Sequence, residues 1–190
     1  MRVPRQTADI FEILSKGQFI SSNSSDDRIR KLYEVIDTDN NYDILYNYFL
    51  AINLILEKGD EYYYFSRRES KAELERKLET SYRWIDIVDF FKSFDSSFAS
   101  GYSFSASEIL VKLNVDAVLK NKLEGLKRWT KEDAYLDSIN KLIKMFCDDG
   151  YAEVENEILK TYKVLSSFKY LEELINNINI PDEYQNEIPE

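Results

Sequence analysis

The chain has no histidine, one cysteine, three prolines and five glycines in 190 residues. Without histidine the commonest general base and metal ligand is missing. Neither a Ser-His nor a Cys-His nucleophile can be assembled from this chain alone. A lone thiol, Cys147, excludes an internal disulfide and favours a reducing compartment. A surplus of cations is lacking too. Lys and Arg number 25 against 35 Asp and Glu, a net charge of -10, which argues against bulk affinity for phosphate backbones or anionic lipid. There is no glycine-rich phosphate loop. The longest apolar run, 44–56, is broken by Asn47 and Asn53 and is too short to span a bilayer. The segment 1–10 lacks the apolar stretch of a secretory signal.

What is present is a globular composition with 14 Tyr and 11 Phe and a pattern played twice. An apolar-faced helix runs into a glycine turn bounded by short aromatic or β-branched strands, first over 44–65 around Gly59 and again over 135–165 around Gly150. In each copy an upstream glycine (Gly17, Gly101) precedes an aromatic residue, a Ser-rich stretch and another helix. The order helix, short strand, two helices, hairpin is that of a winged-helix domain. The expected fold class is therefore α+β, mostly helical, with two tandem winged-helix domains joined by a long helix. The boundaries read as 1–68 for the first domain, 69–83 for a connecting helix, 84–180 for the second domain and 181–190 for an acidic tail.

The periodicity supports this element by element. Thr7 is placed to cap a helix over 8–16 that turns Ile10, Phe11, Ile13 and Leu14 inward, with Gly17 ending it. Ser24 or Ser25 caps a helix with the stripe Ile29, Leu32, Tyr33, Ile36. Ile44, Leu45, Tyr48, Phe49 and Ile52 face one side of the third helix, and a hairpin turns at Lys58-Gly59-Asp60. Ser70 with Glu73 forms a capping box ahead of a helix near 71–94 with the seam Leu74, Leu78, Tyr82, Ile85, Val88. A second box, Ser105 with Glu108, opens one or two helices lined by Ile109, Leu110, Leu113, Val118, Leu119 and Leu123, ending near Gly125. Thr130 with Asp133 caps the helix of Tyr135, Ile139, Leu142, Ile143 and Phe146. A second hairpin follows with its turn at 155–157. Ser166 caps a last helix of Phe168, Leu171, Leu174, Ile175 and Ile178.

Candidate chemistry is weak throughout. Asp37-Thr38-Asp39-Asn40-Asn41 opens like a calcium loop, but Tyr42 and Tyr48 stand where that loop needs Gly and Glu, so helix capping is the expectation. Asp86 and Asp89 share a helix edge with no third ligand or partner base. Ser138 and Lys141 match Ser-x-x-Lys without its companion motifs. Cys147, beside Met145 and Phe146, reads as a small core hydrophobe. The basic cluster Arg67, Arg68, Lys71, Arg76 and Lys77 is interleaved with Glu69, Glu73, Glu75 and Glu79 at intrahelical pairing distance. The helix that would enter a DNA groove, 40–50, has Tyr42, Asp43, Tyr46 and Tyr48 but no Lys or Arg. Tyrosines there, and in the run Tyr62-Tyr63-Tyr64-Phe65, suit contact with a protein. Alternation puts Tyr62 and Tyr64 on one face and Tyr63 and Phe65 on the other, so one pair is expected to stay available unless a neighbour covers it. The candidate partner-binding residues are Tyr62, Tyr63, Tyr64, Arg67, Arg68 and Tyr46. No catalytic, cofactor or metal residue is assigned.

Ile10-Phe11-Glu12-Ile13-Leu14 with Gly17-Gln18-Phe19-Ile20, the wing Glu61 to Ser66, and Trp84-Ile85-Asp86-Ile87-Val88-Asp89-Phe90-Phe91 leading to Gly101 resemble the small tandem winged-helix subunits of bacterial SMC complexes. The likeness is to the MukE/MksE group of MukBEF-like condensins and extends over about 7–178. The resemblance implies a non-enzymatic scaffold that dimerises and holds the kleisin bridging the SMC ATPase heads. Its implied role is chromosome condensation and segregation, or plasmid defence, and its implied place is the cytoplasm, at the nucleoid through its partners. DNA contact is then weak or indirect, with no membrane and no cofactor. The competing reading is a winged-helix DNA-binding transcriptional regulator.

Overall fold

The computed structural model describes residues 3–67 and 71–176, with backbone alone at 72–77 and 79. Among them the chain forms eight α-helices and six short strands, mostly helical, with the strands in two three-stranded antiparallel sheets. The first half runs α1 (Thr7–Leu14), β1 (Ile20–Ser21), α2 (Asp27–Asp37), α3 (Asn41–Leu50), β2 (Ile55–Gly59) and β3 (Tyr62–Ser66). The sheet order is β1-β3-β2, with Ile20 opposite Tyr63 and Gly59 opposite Tyr62. The long α4 (Lys71–Phe94) leads to β4 (Ser103–Ser105), α5 (Ala106–Leu113), α6 (Ala117–Thr130), α7 (Tyr135–Asp148), β5 (Ala152–Asn156), β6 (Thr161–Val164) and α8 (Phe168–Asn176). The second sheet repeats the first, in the order β4-β6-β5.

Each sheet closes its own core. Ile10, Leu14, Ile20, Leu32, Ile36, Leu45, Phe49, Leu56 and Tyr63 fill the first. A larger cluster around Phe91, Phe98, Phe104, Phe146 and Phe168 fills the second. Most of its rings meet edge-on or tilted, at centroid separations such as 4.8 Å for Phe91–Phe146 and 5.2 Å for Phe98–Phe104, while Phe91 and Phe98 stack at 4.8 Å, geometries that suit ring quadrupoles. Helix ends are fixed by side chains where the sequence offers them. Asp26 Oδ1 accepts from Arg28 N at 2.7 Å, Ser105 Oγ from Glu108 N at 3.3 Å and Asp116 Oδ1 from Leu119 N at 2.9 Å.

Several local expectations shift. Thr7 lies inside α1 and its hydroxyl donates to Pro4 O, while Asp26 rather than Ser24 or Ser25 caps α2. Ser24 is spent elsewhere, on Glu153. α6 continues through Gly125 to Thr130, because Leu126 and Thr130 are still buried against neighbours. α7 begins after Ala134 with no side-chain cap. Thr130 is buried and its hydroxyl faces Ser138 Oγ at 3.4 Å. The apolar face of α4 is rotated from the expected seam. Leu78 and Tyr82 are exposed, while Trp84, Ile87, Val88, Phe90 and Phe91 are buried. α6 and α8 pack along α4, and Phe146 of α7 and Phe104 of β4 meet its rings, so it is covered on a broader front than the narrow seam its sequence suggests. Phe11, Tyr48, Ile52 and Val118, all expected inside, are exposed. The Ser70–Glu73 box, Arg68 and Ile178 lie outside the described residues or side chains.

Candidate functional site: the aromatic seam and its groove

The run Tyr62-Tyr63-Tyr64-Phe65 is the hinge of the molecule's chemistry. Strand alternation sends Tyr63 into the first core, where its ring lies 5.3 Å from Tyr33 and 6.0 Å from Tyr42. Its hydroxyl donates to Asp37 Oδ1 at 2.7 Å, and Lys58 donates to the same oxygen at 2.8 Å. These two donors hold the Asp37 carboxyl below its usual range, and burial, ahead of the Asp37 contact, pushes the Tyr63 phenol up. The aspartate first considered as part of a calcium loop is thus a fixed acceptor beneath the hairpin. The described residues hold no group of three or more metal-ligating His, Cys, Asp or Glu side chains.

The opposite face of β3 meets the second half of the chain. Phe19, from the turn after α1, is the centre of this seam. Its ring lies 5.8 Å from Tyr62, 5.7 Å from Tyr64, 5.6 Å from Tyr151 and 5.5 Å from Tyr170 of α8. Gly59 makes room for it, since a Cβ there would come within 2.0 Å of the Tyr62 ring. Polar contacts border the aromatics. Asn23 donates from Nδ2 to Val164 O at 3.1 Å and accepts at Oδ1 from Ser166 N at 2.8 Å. Ser24 Oγ donates to Glu153 at 2.8 Å, and Lys169 reaches Asp60 at 2.7 Å and Glu61 at 2.8 Å.

Tyr62 and Tyr63 are 1% and 0% exposed. Neither face of the strand therefore leaves a free pair of rings, contrary to expectation, because α8 and Phe19 cover the outer one. The signal was present in Phe19 and Tyr170, yet no local pattern ties residues so far apart in sequence. Tyr64 stays half-buried, and burial pushes its phenol up to about 12. Arg67 is exposed and Tyr46 half-buried on α3 beside Tyr42 at 6.1 Å; Arg68 lies outside the described residues. Asp86 and Asp89 pair with Arg128 and Lys122 of α6, so they brace two helices. Cys147 is half-buried, and burial pushes its thiol up to about 11.

Beside the seam lies a groove of about 560 Å³ between the turn after α1, the end of β3 and the end of α7. Tyr64, Phe65 and Tyr170 line it, together with Lys16, Arg67, Asp148 and Asp149. Phe11, exposed, lies 6.5 Å from Phe65, and Phe11 and Tyr48 both rest on the buried Phe49, at 6.4 Å and 5.4 Å. Leu50 and Ile52, at the end of α3 and just beyond it, are about half exposed.

The family described as condensin complex protein MksE matches residues 5–175. The chain belongs to that family of condensin-complex subunits. No curated protein and no solved structure matches it.

Proposed function

We propose that this chain is a non-catalytic scaffold of a condensin-like complex, built of two winged-helix units, that holds a kleisin and through it meets an SMC ATPase. The observation that carries the reading is the groove over Tyr64, Phe65 and Tyr170, with the exposed Phe11 beside Phe65. Aromatic linings bury large area at little entropy cost, and charges of both signs among the lining residues can orient an extended chain. A kleisin segment with apolar residues flanked by charges of both signs fits it. Of the residues singled out in the sequence, Tyr64, Arg67 and Tyr46 are proposed to face the partner. Tyr62 and Tyr63 support them from beneath.

The protein also forms a homodimer and acts in the cytoplasm, at the nucleoid, in chromosome condensation and segregation or in plasmid defence. Its contact with DNA is weak or indirect. The net charge of -10 and the absence of Lys and Arg from α3 support that over a transcriptional regulator. The test is a binding series with a kleisin-like protein of the same system. Tyr64→Ala with Phe11→Ala, checked for folding by circular dichroism, is expected to weaken binding at least tenfold. Parent-like binding by the folded variant removes the groove from the proposal. Sub-micromolar binding of duplex DNA at physiological salt by the isolated chain replaces the scaffold with the regulator.

A further inference from the structure

The sheet of the first half is lopsided. β3 pairs with β2 over all five of its residues but with β1 only at Tyr62 and Tyr63. In an antiparallel ladder the backbone groups of successive residues point alternately to one neighbouring strand and to the other. The loop of the β2–β3 hairpin has two residues, Asp60 and Glu61, so Gly59 and Tyr62 close it as a hydrogen-bonded pair. Tyr64 and Ser66 follow in step, and all three residues of β3 point to β2. On the other side Ser22 N–H donates to Glu61 O at 3.0 Å, so Glu61, Tyr63 and Phe65 point to β1. Tyr63 finds Ile20 there. Gln18 would stand opposite Phe65 if β1 ran on, but among the described residues no backbone hydrogen bond joins Phe65 to the segment 15–19.

The segment before β1 is committed elsewhere. Ser15, Lys16 and Gly17 donate their N–H groups to Phe11, Ile13 and Leu14 at 2.9, 3.2 and 3.1 Å, which closes the end of α1. Gly17, at φ 76°, then turns the backbone, and the strand starts only at Ile20. Where β1 would continue, the groove of about 560 Å³ opens, with residues 15–19 and 64–67 both lining it. The free end of β3 is nonetheless held in strand form. Ser66 stands opposite Ile55, and its hydroxyl donates to Glu57 of β2 at 2.6 Å. The groove therefore presents a fixed N–H and C=O of Phe65, aimed along the line that β1 leaves empty.

We propose that the partner segment enters this groove in extended form, as a strand antiparallel to β3 and in line with β1, with one of its residues exchanging both backbone hydrogen bonds with Phe65. This mode of binding rests on the reading above that the groove receives a partner chain, and it adds how that chain is held. A helix keeps its backbone groups for itself and cannot answer Phe65, whereas an extended chain added to a sheet edge does so directly. Directly opposed residues share a face of the sheet. The side chain opposite Phe65 therefore lies on the face of Tyr63 and Phe65, beside Phe11, which is 6.5 Å from Phe65 and 40% exposed. A large apolar residue fits there and covers Phe11. Proline does not, because that position must donate its N–H.

Hydrogen exchange of the isotope-labelled full chain, read amide by amide by NMR, tests it, with a kleisin-like protein of the same system as the probe. In the free chain the Phe65 N–H is expected to exchange fast and the Tyr64 N–H, which points to β2, slowly. In the complex the Phe65 exchange is expected to slow at least about tenfold. An ester in place of the Tyr64–Phe65 amide removes that N–H and keeps the Phe65 ring, and is expected to weaken binding about threefold to tenfold. Binding that perturbs Tyr64 and Tyr170 but leaves the Phe65 exchange and the affinity of the ester at parent values overturns the added strand and leaves the groove reading standing. No binding, or binding that perturbs no residue of the groove, overturns both. Slowing of the Phe65 exchange with rising concentration of the chain alone assigns its free groups to a second copy and overturns the partner strand.

Discussion

Phe19→Ala should split the molecule into two independently melting halves. Phe19 touches four rings, two on β3 and one each on Tyr151 and Tyr170, at 5.5 to 5.8 Å. Each such pair contributes about 0.5–1.5 kcal/mol beyond burial, and truncating a core Phe costs about 3–5 kcal/mol. The ring is half-buried, so the low end applies, about 3 kcal/mol. The hydrogen bonds of Asn23 and Ser24 remain and hold part of the seam. The two cores do not depend on Phe19 in the same way. Only the second packs against it directly, while the first is closed by Tyr63 from beneath. Urea unfolding followed by circular dichroism and tyrosine fluorescence is the assay. The parent should unfold in one transition, and the variant in two, with the less stable half displaced by about 3 kcal/mol. A loss under about 1 kcal/mol with one transition would refute the view that this ring couples the halves.

Other outcomes follow from the same geometry. Gly59→Ala puts a Cβ within 2.0 Å of the Tyr62 ring, so thermal denaturation should show a loss of about 1–3 kcal/mol, relieved when Tyr62→Ala is added. Asp95 accepts from the Ser97 hydroxyl and N–H and from the Tyr102 hydroxyl, which hold its carboxyl down to about 2. A depressed folded-state value means that its stabilisation is present above its ordinary value of 3.8 and is lost as pH falls toward 2. Comparing acid unfolding of the parent with Asp95→Asn should show a smaller loss across that window in the variant. The Cys147 thiol, pushed up to about 11, should react with iodoacetamide at pH 8 much more slowly than free cysteine. Equal rates would mean that the thiol is not shielded.

The order of elements was legible because helix and strand periods and glycine turns are local. Gly17, Gly101 and Gly150 all take the positive φ expected of helix or turn ends, and the hairpin register at Gly59 follows from its turn. The inward stripe of α7 was read correctly for the same reason. What was not legible depends on packing between distant segments. The seam of α4 was misplaced because the apolar residues of that helix allow two faces, and the second core selects the one bearing Trp84 and Phe91. Strand alternation sends one pair of the aromatic run inward and leaves the other available; Tyr170, 106 residues further on (170 − 64), covers that second face, and nothing near the run in sequence signals it. The partners of Asp86 and Asp89 are not legible either, because α6 brings Arg128 and Lys122 to this exposed helix edge from more than 30 residues away.

The most direct test of the scaffold reading is co-expression of this chain with a kleisin-like protein of its own condensin-like system, followed by size-exclusion chromatography with light scattering. A stable complex of defined stoichiometry that survives physiological salt and contains no nucleic acid is the expected result. A chain that elutes alone, with the kleisin-like protein folded and present in excess, would contradict it.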